Sequence, residues 1–345
     1  MRAVEMIEGP VNSAYTAYPA VMMHSASLEN LLRSSYLNVF TFEPAWLDAE
    51  YEGEHQPPSM HGAYVDAFRY VDLARDSVVI PKTDFRGPGE LLPFLGDKIP
   101  RNEWPVVFVN QNVLTNQTGR YLHEYLVVEV QDDAIIVVAL GGNGKLALQK
   151  VPPETFEKAY LDAAHAVHHD HTWQFFKALI HVMSIPDRDV SSSERNVRII
   201  RELTSVLNSE GGGDHDIREW VRNFWWTDWE LPIASERRYG LAALENLHRH
   251  IALHESSSQF LDLRLFHLFE EQFRNCARAV SLLQCEADTQ PDVWRAAEGR
   301  MQLAKRLIFA SEYEHVPKLI GRLHDLVDET LGEVRNGLSE LLVKH

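Results

Sequence analysis

Cysteine is nearly absent. Among the 345 residues there are two, Cys276 and Cys285, which excludes a disulfide framework and leads to the expectation of a reduced, cytoplasmic setting. No apolar run approaches the ~20 residues that a membrane-spanning helix needs. The opening stretch MRAVEMIEGPVNSAY also lacks the apolar segment of a secretory signal. Positive charge is scarce: 33 Lys and Arg stand against 50 Asp and Glu, a net charge of −17. A surface of that sign repels phosphate backbones and anionic lipids, so neither nucleic acid nor membrane is expected as a partner. There is no Gly-x-Ser-x-Gly elbow, which argues against an α/β-hydrolase. What remains is an ordinary globular composition, 45% hydrophobic and 24% charged, with a length that suits two domains at ~150 residues each.

The first half mixes short strands and turns. Val106–Val109, Leu122–Val130 and Ala134–Leu140 are apolar runs of strand type, and Gln131-Asp132-Asp133 is short enough to close a hairpin. Gly141-Gly142-Asn143-Gly144 reads as a turn, and Leu146–Val151 as one further strand. Ahead of them, Ser25–Arg33 carries a Leu28, Leu31, Leu32 stripe and predicts a helix that Ser25 or Ser27 would cap at its start. Tyr51–Met60 reads as a loop.

From Pro153 the period changes to 3.6: Phe156, Ala159, Tyr160, Ala163, Ala164 and Val167 form one helical face. Ser191 and Glu194 have capping-box spacing. Further helices are predicted over 214–227, 236–254, 258–285, 291–312 and 315–343. In the last, the stripe from Leu319 to Leu341 suits internal packing or a homodimer. Strands followed by helices argue an α+β protein, divided as 1–153 and an all-helical 154–345.

Several residues carry chemistry. His123 opens a strand, where an imidazole serves either as a general base or as a strand-edge residue. His165 and His169 are i, i+4 and could share a metal, with His168 and His171 beside them. No third ligand is evident, and a solvated polar face is the plainer reading, so no metal is expected. Trp220, Trp225, Trp226 and Trp229 suit either a ligand pocket or a core. The glycines at 141–144 lack the Lys-Ser/Thr of a phosphate loop, and no cofactor is expected.

Met22-Met23-His24-Ser25-Ala26-Ser27-Leu28-Glu29-Asn30-Leu31-Leu32 resembles the nucleophile helix of the butirosin-biosynthesis protein H family. These are papain-like (peptidase C39-like) acyltransferases of natural-product assembly. Trp104–Val109, Leu122–Val128 and Ala134–Ala139 resemble that family's remaining active-site strands. Pro152–Ala159 is similar to the helix that follows, and Gly240–Leu244 to the opening of its C-terminal extension. The resemblance implies a papain-like N-terminal domain with an antiparallel sheet. It also implies a Cys thiolate, activated at a helix N-terminus, that relays an acyl group with the help of a His and an orienting Asp or Asn.

Carried over residue by residue, the Cys position falls on Met23, whose thioether has no ionisable proton. His123 matches the base. The orienting Asp falls on Ala139, or on Leu140 after a one-residue slip. Ser25 could replace the nucleophile only if the helix began later, because it points roughly 200° away from Met23 at ~100° per residue. His24 is closer in angle and could donate a proton.

The resulting expectation is a secondary-metabolism enzyme acting on an acyl, polyketide-derived or peptide-derived intermediate, free or on a carrier protein. It would perform cyclisation, isomerisation or acyl transfer without a Cys nucleophile. His123 would be the acid/base, His24 and Ser25 would assist, and Met23, Ala139, Trp225 and Trp226 would line the substrate cleft. The alternative is a pseudoenzyme that binds or scaffolds in the same pathway.

Overall fold

The computed structural model describes residues 14–42, 61–64, 78–84, 86–99, 103–140, 146–170, 178–211, 237–255, 263–283, 290–311 and 317–344. The protein is α+β, with antiparallel sheet and a C-terminal helical region. The predicted loop at 51–60, the turn at 141–144, the helix at 214–227, His171 and all four clustered Trp residues lie outside the described residues.

In chain order the helices are α1 (Ala14–Ser25), α2 (Glu29–Arg33), α3 (Leu91–Lys98), α4 (Gln111–Leu114), α5 (Pro153–His169), α6 (Ser192–Asn208), α7 (Gly240–Glu245), α8 (Leu247–Glu255), α9 (Arg264–Leu282), α10 (Gln290–Ser311) and α11 (Pro317–Lys344). The strands are β1 (Val39–Phe42), β2 (His61–Tyr64), β3 (Val78–Pro81), β4 (Trp104–Asn110), β5 (Leu122–Val130), β6 (Ile135–Leu140), β7 (Leu146–Val151), β8 (Ala178–Met183) and β9 (Arg238–Tyr239).

Two compact units result, and they do not divide near residue 153. The first takes residues 1–28, 68–189 and 215–229; the second takes 29–67, 190–214 and 230–345. The reason lies in β8. This strand pairs with β4 and β3, so the sheet of the first unit runs β3-β8-β4-β5-β6-β7, antiparallel throughout. A helix-rich sequence context hides β8: Ala178-Leu179-Ile180-His181-Val182-Met183 has no alternation, because every residue in it is buried. The second half is therefore not all-helical.

In the first unit, the predicted face of α5 (Phe156, Ala159, Tyr160, Ala163, Ala164, Val167) is buried against β4. Burial of a large apolar side chain there stabilises by about 1.5–3 kcal/mol. The hairpin β5–β6 forms as predicted, with Leu126 opposite Val138 and Val127 opposite Val137.

The predicted helix 25–33 is instead two helices. The chain is already helical from Ala14, and residues 17–23 are buried without a polar face, so no amphipathic stripe marks this helix. It stops by a left-handed cap. Ser27 has φ 59°, its N–H donates to the His24 carbonyl (2.9 Å), and the Leu28 N–H donates to that of Met23 (2.8 Å). Ser25 and Ser27 thus belong to a helix end, not to a helix start.

The second unit is mainly helical, with the small antiparallel sheet β2-β1-β9. Ser191 caps α6 by the predicted box: its Oγ accepts from the Glu194 N–H (3.2 Å), and its own N–H donates to Glu194 Oε2 (2.8 Å). α9 and α10 pack closely. Glu270 of α9 joins them by pairing with Lys305 of α10, and it also accepts from Arg274 Nη2 of its own helix (2.8 Å). On α11, Leu323, Leu326, Leu331, Val334, Leu338 and Leu341 are buried as their spacing predicts. No helix among the described residues is long and apolar enough to cross a membrane.

Candidate functional site

His123 is aimed by the connection that precedes it. Asn110, the last residue of β4, is buried and uses its whole amide. Its Oδ1 accepts from the N–H of Asn112 (3.1 Å) and of Tyr121 (3.0 Å). Its Nδ2 donates to Asp162 Oδ2 (2.8 Å) and to the Gly119 carbonyl (3.3 Å). The Gln111 N–H adds a bond to the Tyr121 carbonyl (2.8 Å). The chain therefore enters β5 already fixed, and His123 pairs with Val109 two residues later.

Among the described residues the imidazole has two oxygen neighbours, both at Nδ1. The Glu124 carbonyl oxygen lies at 3.1 Å and the Glu124 carboxylate Oε2 at 3.3 Å. A carbonyl oxygen can only accept, so Nδ1 carries the proton and Nε2 keeps its lone pair. In that tautomer the rear nitrogen is held by the Glu124 main-chain carbonyl, with the Glu124 carboxylate close enough to offset a charge on the ring. The ring is 19% exposed. It sits between Tyr121 (centroids 5.7 Å) and Tyr125 (6.2 Å, edge-on).

Tyr18, Tyr125 and Glu124 beside the ring are buried. Burial pushes the Glu124 carboxyl above its ordinary value, against the opposing pull of His123 and a backbone hydrogen bond. Burial, then Glu124, then Tyr125 raise the Tyr18 phenol well above 10.0. Burial, then Tyr121 and Glu124, push Tyr125 to about 12. Both phenols stay neutral. The Tyr18 hydroxyl donates to the Glu124 carbonyl (2.7 Å), which ties α1 to β5 next to His123.

The other expected site residues fall as follows. Met23 is fully buried, five residues after Tyr18 in the same helix, and Ala139 is buried in β6. His24 and Ser25 are half-buried in the last turn of α1. This is the carbonyl end of the helix, where the dipole disfavours an anion. The thiolate-activating position expected at residues 22–25 is therefore reversed in polarity, and a later helix start for Ser25 does not occur. Trp225 and Trp226 lie outside the described residues. Cys276, in the second unit, is buried, and burial pushes its thiol up, away from thiolate chemistry.

Glu124 escapes a sequence reading. Adjacent strand residues point to opposite faces, so an i, i+1 pair is not sought there. The available signal was a carboxylate inside the apolar run Leu122–Val130, one of two with Glu129, and the one next to His123.

His165 and His169 do face each other (centroids 4.7 Å), on the exposed side of α5. Arg120 occupies that side: its Nη2 is 3.4 Å from His165 Nδ1, and it pairs with Asp162 (3.3 Å) and Asp170 (3.5 Å). No group of three or more metal-ligating side chains occurs among the described residues. Comparison of the chain with protein-family models and with curated proteins gives no match.

Proposed function

We propose that the protein is a non-covalent acid/base enzyme of natural-product biosynthesis. It acts on an acyl, polyketide-derived or peptide-derived intermediate, free or on a carrier protein. The observation that carries this reading is the His123 ring, held through Nδ1 by Glu124 with Nε2 left as the basic nitrogen. Nε2 takes a proton from the substrate, and the imidazolium is stabilised by the carboxylate 3.3 Å behind it. The same nitrogen then returns the proton at a second substrate atom. The net change is an isomerisation or a ring closure, or a transfer in which the substrate's own amine attacks the acyl carbon. No acyl-enzyme forms. A positioned imidazole supplies about 10²–10⁴-fold.

A papain-like ancestry belongs to the same proposal. Its support is chain order: a helix ahead of an antiparallel sheet, with His123 near the start of a hairpin strand. The reversed polarity of α1 at residues 22–25 is the departure from that pattern.

The test uses acyl N-acetylcysteamine thioesters and the same acyl groups on a carrier protein, with products read by mass spectrometry. His123→Gln should lower turnover at least ~100-fold. Unchanged turnover in that variant would sink the proposal. A second reading, a non-catalytic binding protein, is favoured by the burial of apolar Met23 and Ala139 at the matched catalytic positions. It expects no turnover, and carrier binding indifferent to His123→Gln.

A further inference from the structure

α8 and α11 meet through two histidines. His248 Nδ1 and His324 Nδ1 are 2.6 Å apart, the ring centroids are 4.9 Å apart and the ring planes differ by 15°. Rings stacked face to face could not bring one nitrogen pair so close while keeping the centroids so far apart. The imidazoles instead lie nearly in one plane and meet nitrogen to nitrogen. Two lone pairs aimed head-on at that distance leave no room for a metal ion, whose bonds to imidazole are each ~2.0–2.1 Å. The contact needs one proton, donated by one ring and accepted by the other.

The direction of that bond is fixed from behind. His248 Nε2 is 3.0 Å from Asp328 Oδ1. A carboxylate accepts, so Nε2 carries a proton and the neutral ring presents a bare Nδ1. His324 is therefore the donor, and the chain runs from His324 to His248 to Asp328. His324 and Asp328 are i, i+4 on α11. Buried Leu247 and Ile251 on α8, and Leu323 and Val327 on α11, lie on the same helices beside the pair.

We propose that His248 and His324 share one proton across the α8–α11 contact, which makes this contact a latch that acid opens. A further proton on His248 Nδ1 leaves that nitrogen without an acceptor function and sets two N–H groups against each other. The rings must part, and of these two polar ties to α11, α8 keeps only the one from His248 to Asp328.

The elements packed here carry Glu245 on α7, Glu202 on α6, Arg300 on α10, Arg249 and His250 on α8, and Arg322, Asp325 and Glu329 on α11. Arg322 and Arg300 are taken up by Glu329 (2.8 and 3.5 Å). Among the described residues, Asp328 is the one charged side chain within ion-pair distance of either ring. It touches His248 alone, so the added positive charge on the pair is only partly offset.

The experiment uses the full chain with nitrogen-15-labelled histidine, together with amide hydrogen exchange corrected for intrinsic rates. At pH 7.5 one of the two Nδ1 atoms should carry a proton and the other should be bare. On acidification to pH 5, α8 amide protection should fall about tenfold while α9 stays protected. His324→Gln should lower α8 protection at pH 7.5 and remove its pH dependence. His248→Gln gives the same readout should His324→Gln fail to fold. The proposal is overturned by two bare Nδ1 atoms at pH 7.5, by α8 protection that is equal at both pH values, or by Zn²⁺ shifting both rings at pH 7.5.

Discussion

His123 and Glu124 are neighbours in the chain and partners in space: the imidazole Nδ1 stands 3.3 Å from the Glu124 carboxylate. If the proposed reaction is carried out, the pair sets stability against turnover. Burial raises the Glu124 pKa in the fold. A carboxyl with a raised folded value stabilises below its unfolded value and loses that contribution as pH rises through the folded one. Glu124→Gln should therefore raise the melting temperature at pH 7.5, with the gain shrinking towards pH 4. The same variant should lower turnover about tenfold or more, because the imidazolium loses its counter-charge. Thermal unfolding at the two pH values, beside the thioester assay, checks both halves.

Met23→Cys should not create a reactive thiol. The side chain is buried at the carbonyl end of α1, and both conditions hold the proton on sulfur. Alkylation at residue 23, followed by peptide mass spectrometry at pH 7, should be about tenfold or more slower in the native than in the unfolded chain. Rapid native labelling would contradict the assigned helix polarity.

His181 in β8 should make the protein acid-labile. Burial lowers its pKa from 6.5 to about 4. The unfolded chain then binds more protons between those values, so stability is full above pH 6.5 and falls as pH drops towards 4, by about 3 kcal/mol over the whole window. Denaturant titrations at pH 7 and 4.5 measure this. In His181→Leu the difference between the two should shrink.

Gly240→Ala should unfold the start of α7. Gly240 has φ +52°, and a Cβ there would lie 2.3 Å from the Val206 carbonyl oxygen. Left-handed strain and overpacking add to about 3 kcal/mol. A fall in the urea midpoint with an unchanged slope is the expected result.

What was legible in the sequence had a period or a cap. The buried face of α5, the Ser191–Glu194 box, the hairpin after Leu122 and the stripe of α11 follow from spacing alone. α1 and β8 were hidden for one shared reason: both are buried on every side, and a uniformly apolar run shows no periodicity to read. At the site, His123 stood out because an imidazole at a strand entrance is conspicuous. Its partner did not, since strand alternation turns attention away from the adjacent residue. The polarity of the helix end at 22–25 depended on where α1 begins, eight residues before the first motif residue.

Tyr121 is anchored beside His123 through its main chain, by Asn110 Oδ1 and the Gln111 N–H, while its side chain is half exposed. Backbone tethering of this kind is indifferent to what the residue carries. Exchanging the phenol for smaller, larger or aliphatic groups changes the ring packed beside His123 but not the Nδ1 bond to the Glu124 carbonyl, so in the proposed enzyme position 121 is where divergence or laboratory evolution can retune which molecules approach, at little expense to the scaffold.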